Sequence, residues 1–154
     1  MTQVTERRRR SVGRPMPDEA VLDDARGGAR AGTALRMLGA LAVLTVGAVH
    51  LEQYFGVHFN VVPVIGPLFV LNFAGAVLIT LGLLVPLGRL HIPFAVGGIG
   101  LAATSFVFFF ISERQTLFGF RDYGYRPAII IALAAEAAAV VLLGGYLAGR
   151  VRRV

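Results

Sequence analysis

Five residues spread over four apolar stretches of this 154-residue chain are of types that can do chemistry in a nonpolar medium: Glu136, His50, Asn72, Ser105 and Thr104. A carboxyl and an imidazole can exchange protons, while an amide and two hydroxyls can orient a ligand, an ion or water. An ionisable group within an apolar span costs on the order of 3 kcal/mol or more unless it is paired, protonated or hydrated, so Glu136 needs a reason to be there. Two readings stand side by side. In one, Glu136 exchanges a proton in a small buried site open to the outer face, with His50 and Asn72 orienting the bound species. In the other, Glu136 is protonated and hydrogen-bonded to Asn72, Ser105 or His50, and holds the helices in register at about 0.6 kcal/mol per bond.

Other chemistries lack their residues. The chain has no cysteine, which removes disulfide staples, thiolate nucleophiles and iron–sulfur ligation. His50, His58 and His91 are its three histidines, and none forms an HxxxH or HExxH pair, so no metal site is expected. His50 and Glu52, two residues apart, face opposite ways on a helix. Glu52 belongs instead to an outer-face rim with Tyr54, Glu113 and Arg114, where it would meet lipid headgroups or Arg114. Gly98-Ile99-Gly100 imitates part of a dinucleotide fingerprint, but no strand precedes it. No cofactor is expected; quinone or haem are the minor alternatives.

The elements that must position these groups are helices in a membrane. The composition is 56% hydrophobic and only 16% charged, against roughly a quarter charged in soluble domains. The apolar runs 34–54, 66–85, 92–112 and 127–148 each approach the ~20 residues that cross ~30 Å of hydrocarbon. Pro67, Pro93 and Pro127 fall where helices begin, a position at which the missing N–H costs nothing, and Pro86 stops the second run. The fold class expected is all-α: a four-helix transmembrane bundle over 34–149, with a short C-terminal tail at 150–154. At ~1.5 Å per residue from each outer end, Glu136 lies ~13 Å deep, Ser105 and Thr104 ~10–12 Å, Asn72 ~8 Å and His50 ~6 Å. These depths form one polar layer in the outer half.

Packing in lipid relies on close approach through small residues. Gly39, Val43, Gly47, His50 and Tyr54 share a face of the first helix; Asn72, Gly75, Ala76 and Ile79 do so on the second. The third presents Gly98, Ala102, Ser105 and Ser112, and the fourth Ala128, Ala132, Glu136 and Ala139, with a GxxxG at Gly145 and Gly149. Each such face carries a polar residue, which therefore points inward.

Orientation follows from the arginines, the sole basic residues beyond histidine. Twelve lie on the side of the termini and the second loop, against three on the other, so both termini are expected in the cytoplasm and the protein in the cytoplasmic membrane. Residues 1–33 read as a disordered Arg-rich tail, with at most a short helix from Pro17 to Arg26. Its run Arg7, Arg8, Arg9 and Arg10 would bind anionic lipid headgroups or serve as a topology determinant and nothing more. Nucleic acid is not an expected partner, because neither aromatics nor a fold surround that run.

The stretch His50-Leu51-x-x-Tyr54, followed by Pro63-x-Ile65-Gly66-Pro67-Leu68-Phe69-x-Leu71-Asn72, resembles small actinobacterial-type four-helix integral membrane proteins. In topology the chain is also similar to DoxX-type four-helix proteins, a resemblance that implies a link to quinone or thiol redox chemistry; this chain has no cysteine to support the latter. The function expected is a non-enzymatic accessory subunit or a small-ligand or proton-handling component. The alternatives are a quinone-linked redox protein and an oligomeric small-solute transporter, with partners in a homo-oligomer or a larger membrane complex.

Overall fold

The structure, a computed structural model, describes residues 17–119, 121 and 125–151. Its four long helices are α1 (Pro17–Gly56), α2 (Ile65–Leu84), α3 (His91–Arg114) and α4 (Pro127–Val151), with single 3-10 turns at Phe59–Val61 and Gly88–Leu90. All four include segments long and apolar enough to cross a membrane. Prolines 17, 67, 93 and 127 all fall within the first three residues of a helix. Val85 is extended (φ −68°, ψ 142°) because the ring of Pro86 disfavours the helical conformation in the residue before it. Gly88 supplies a left-handed φ of 60° in the turn that follows.

The chain divides into two compact units, residues 1–31 and 32–154. In the first, the described residues are helical from Pro17 onward, which corrects the expectation of a disordered tail through residue 33. Pro17 is preset for a first helical position, acids follow it, and Ala20, Ala25, Ala29 and Ala31 supply the highest helix propensity available, outweighing Gly27 and Gly28. Arg7, Arg8, Arg9 and Arg10 lie outside the described residues, as do Arg152 and Arg153.

In the second unit the bundle is solid toward the α2–α3 turn and hollow toward the other end. Ala40, Val43, Ala76, Ala102, Ala139 and Leu143 form the solid half, all buried to 1% exposure or less. Glycines make this density possible. A Cβ at Gly98 would lie 2.7 Å from Leu143 Cδ1 and 3.1 Å from Val43 Cγ2; one at Gly47 would lie 2.5 Å from Ala76 Cβ. The expected small-residue faces of α1, α2 and α3 are therefore contact faces. The GxxxG of α4 is not: a Cβ at Gly149 meets open space, and one at Gly145 would make only ordinary contact with Leu35.

Polar ties reinforce the solid half. Thr80 Oγ1 donates to the Ala40 carbonyl at 3.2 Å, joining α2 to α1. Arg36, counted by sequence with the tail, is a bundle residue whose guanidinium donates to the ring of His91, with Nη1 3.2 Å from Nδ1. His91 itself is buried and reaches the Val85 carbonyl at 2.7 Å. Arg150 Nη2 donates to the Gly88 carbonyl at 3.4 Å, and its Nε to the Tyr146 hydroxyl at 3.2 Å.

The hollow end is closed by strained backbone. Val64 has φ 68° and ψ −53°, and Ile65 N–H donates to the Pro63 carbonyl at 2.8 Å, a three-residue turn with positive φ at a β-branched centre. Such a conformation costs about 1–3 kcal/mol. Val64→Gly removes that strain at a chain-entropy cost of about 0.5–1 kcal/mol, so it should raise the melting temperature of the purified protein. A lower melting temperature would show that the valine side chain contributes more than its backbone costs.

Candidate functional site

The hollow half contains a cavity of about 470 Å³. All five residues singled out by type and depth line it: His50 from α1, Asn72 from α2, Thr104 and Ser105 from α3, and Glu136 from α4. Their neighbours in the wall are mainly aliphatic and aromatic, with Phe59, Phe69, Phe108 and Phe109 contributing rings. This mix of an apolar lining and a few polar groups, within the ~300–1,000 Å³ usual for small-molecule sites, is what a ligand pocket requires.

The hydrogen bonds within the cavity differ from the register-holding reading. Asn72 Nδ2 donates to Ser105 Oγ at 2.7 Å, tying α2 to α3. His50 Nδ1 lies 2.8 Å from the Val46 carbonyl one turn back, and its ring meets Phe69 edge-on at 4.9 Å. Because a carbonyl only accepts, Nδ1 carries the proton, and in the uncharged ring Nε2 is left as an acceptor. Neither group is spent on Glu136. That side chain is only 3% exposed, lines the cavity, and its Oε2 has no hydrogen-bond partner. The hydrogen bonds of His50, Asn72 and Ser105 thus run to Val46 and to one another, not to Glu136.

Gln53 belongs to the site and escaped notice. It is 5% exposed, lines the cavity one turn after Val49, and its Oε1 is also buried and unpartnered. The signal was available: a glutamine three residues beyond His50 shares its helix face. Its amide is oriented by Glu52, whose Oε2 accepts from Gln53 Nε2 at 2.5 Å. The opposite orientation would set an amide oxygen against a carboxylate. Ser112 lines the cavity too, but its hydroxyl is used on the Phe109 carbonyl at 2.7 Å.

The rim residues divide. Glu52, expected to meet lipid headgroups or Arg114, is exposed and engages Gln53, so it acts on the cavity indirectly. Tyr54 stacks edge-on with Phe55 at 4.8 Å and does not line the cavity. Glu113 accepts from the Tyr125 hydroxyl at 3.0 Å, and its main-chain carbonyl accepts from Arg121 Nε at 3.3 Å, fastening the segment after α3. The hydrogen bond to that carboxylate holds the Tyr125 phenol above its ordinary range, with desolvation and the carboxylate's charge acting in the same sense and the Arg114 charge against them. Arg114 lines a separate shallow groove with Phe106 and Phe110.

Access also differs from expectation. At the end of the bundle the cavity is roofed by Phe59 and Ile65, 5% and 7% exposed, with the Arg126 guanidinium over the Phe59 ring at 5.7 Å. The lining residues that reach the surface are Leu68 and Leu71 of α2 and Gly100, Thr104 and Phe108 of α3. Among the described residues the exposed part of the cavity wall thus lies along the side of the bundle, between two apolar helices. Among the described residues no three His, Cys, Asp or Glu side chains come together as metal ligands would. No family model, curated protein or solved structure matches this chain.

Proposed function

We propose that the protein is a multi-pass membrane component that binds a small molecule in the cavity between its four helices, with Glu136 as the principal polar contact. The observation that carries this reading is the buried Glu136 carboxyl facing a cavity of about 470 Å³ with Oε2 unpartnered. A buried polar group without a partner costs about 1–3 kcal/mol, and a bundle meant only to be stable would place an alanine or leucine there. Asn72 and Ser105 brace the wall, His50 presents an acceptor, and Thr104 stands at the opening. The arginine bias supports an orientation with the α2–α3 turn and both termini in the cytoplasm and the cavity in the half of the cytoplasmic membrane away from it.

Native mass spectrometry of the full chain released from membranes in mild detergent tests this reading. A bound mass of one small molecule per chain, lost in Glu136→Leu, is the expected result. A bare chain, identical to the variant, would leave the cavity as a packing defect. The same spectra report the number of chains, which separates a single binding bundle from an oligomeric transporter.

A further inference from the structure

The unpartnered atoms specify the ligand's head group. Gln53 Oε1, Asn72 Oδ1 and Glu136 Oε2 are buried and lack hydrogen-bond partners, the three residues that carry them all line one cavity, and His50 Nε2 adds a further acceptor in the uncharged ring. A partner for these atoms must donate. A protonated primary amine has three N–H donors and no acceptor, and it matches this inventory, whereas a ketone or carboxylate adds acceptors to acceptors. Among the described residues Glu136 is the one acid in the cavity wall, and no arginine stands in that wall beside it. A cationic head would therefore pair with a carboxylate that is otherwise costly to bury. The rings of Phe69, Phe108 and Phe109 also line the cavity, and aromatic rings favour a cation over a neutral donor.

The opening specifies the remainder of the molecule. Leu71 is 65% exposed, Phe108 40% and Leu68 38%, so the cavity wall is continuous with the apolar outer surface of α2 and α3. A solute entering here arrives from the hydrocarbon, and its chain can remain against these side chains. We propose that the cavity takes a bilayer-dissolved amphiphile with a protonated primary amine as its head group, admitted sideways between α2 and α3. This rests on the small-ligand reading above and narrows it to one chemical class.

Decylamine, decanol and decanoate, presented to the full chain in phosphatidylcholine nanodiscs, provide the test, with the melting temperature as readout, since a ligand that binds the folded state raises it saturably. The expected result is a saturable rise with decylamine several-fold larger than with decanol, and none with decanoate. Glu136→Gln should abolish the rise and Gln53→Leu should reduce it. Gly100→Phe adds a side chain where the structure has open space, so it should melt like the parent protein yet lose the decylamine response by blocking the opening. An equal or larger response to decanol or decanoate would overturn the amine while leaving the cavity as a binding site. A response retained in Glu136→Gln would overturn the role of the carboxyl, and one retained in Gly100→Phe the sideways route. No response to any of the three probes would sink both this inference and the binding reading beneath it.

Discussion

Leu143→Ala will cost the bundle about 2–3 kcal/mol, read as the loss of folded protein in a denaturing-detergent titration. The side chain is fully buried in the solid half, where its methyl groups occupy the space left by Gly39 on α1 and Gly98 on α3. Leucine-to-alanine changes in water-soluble cores cost about 2–5 kcal/mol, part of it transfer from water and part the residual cavity. In a bilayer the transfer part shrinks, because the unfolded helices already lie in hydrocarbon, and the lost dispersion contacts dominate. That places the value in the lower part of the range. Collapse into the gap is hindered, since the facing positions are glycines whose backbones are held by their helices. Leu78→Ala and Val141→Ala, at residues 63% and 71% exposed, are the controls and should change stability by less than about 0.5 kcal/mol. Losses of similar size at all three positions would mean that Leu143 is not the packing centre of the bundle.

Much of this architecture was legible in the residues. Proline placement and run length gave four helices, and the observed bounds of α2, α3 and α4 fall within three residues of those read from sequence. The depth count along each helix gathered His50, Asn72, Thr104, Ser105 and Glu136 into one layer, and one cavity holds them all. Depth says nothing of azimuth or pairing, however. That Asn72 turns to Ser105 and His50 back to Val46, leaving Glu136 without either, depends on side-chain torsions that no periodicity encodes. The orientation of the Gln53 amide carries no such mark in the sequence either, since it depends on the Glu52 carboxylate. The sideways opening was hidden for a different reason. Leu68, Leu71 and Phe108 read as ordinary lipid-facing residues, and they are, but they also line the cavity. The helix extends from Pro17 through residue 33 because the helix propensity of its alanines outweighs its glycines and charges.

The central claim concerns one carboxyl. If Glu136 held the helices together, its loss would weaken the bundle; as it faces the cavity without a protein partner, its loss should relieve a cost. Leucine at this position removes a buried polar group and fills part of the cavity with hydrocarbon, so stabilisation of about 1–3 kcal/mol is expected. Glutamine keeps a polar head and should remain near the parent protein. Binding and stability would then be opposed at this residue, as they commonly are at functional sites. The most direct measurement is the melting temperature of Glu136→Leu beside Glu136→Gln and the parent chain in one detergent without added ligand. A rise for leucine and little change for glutamine is the expected result; a fall for leucine with glutamine holding the parent value would show that the carboxyl is a structural tie and overturn the site.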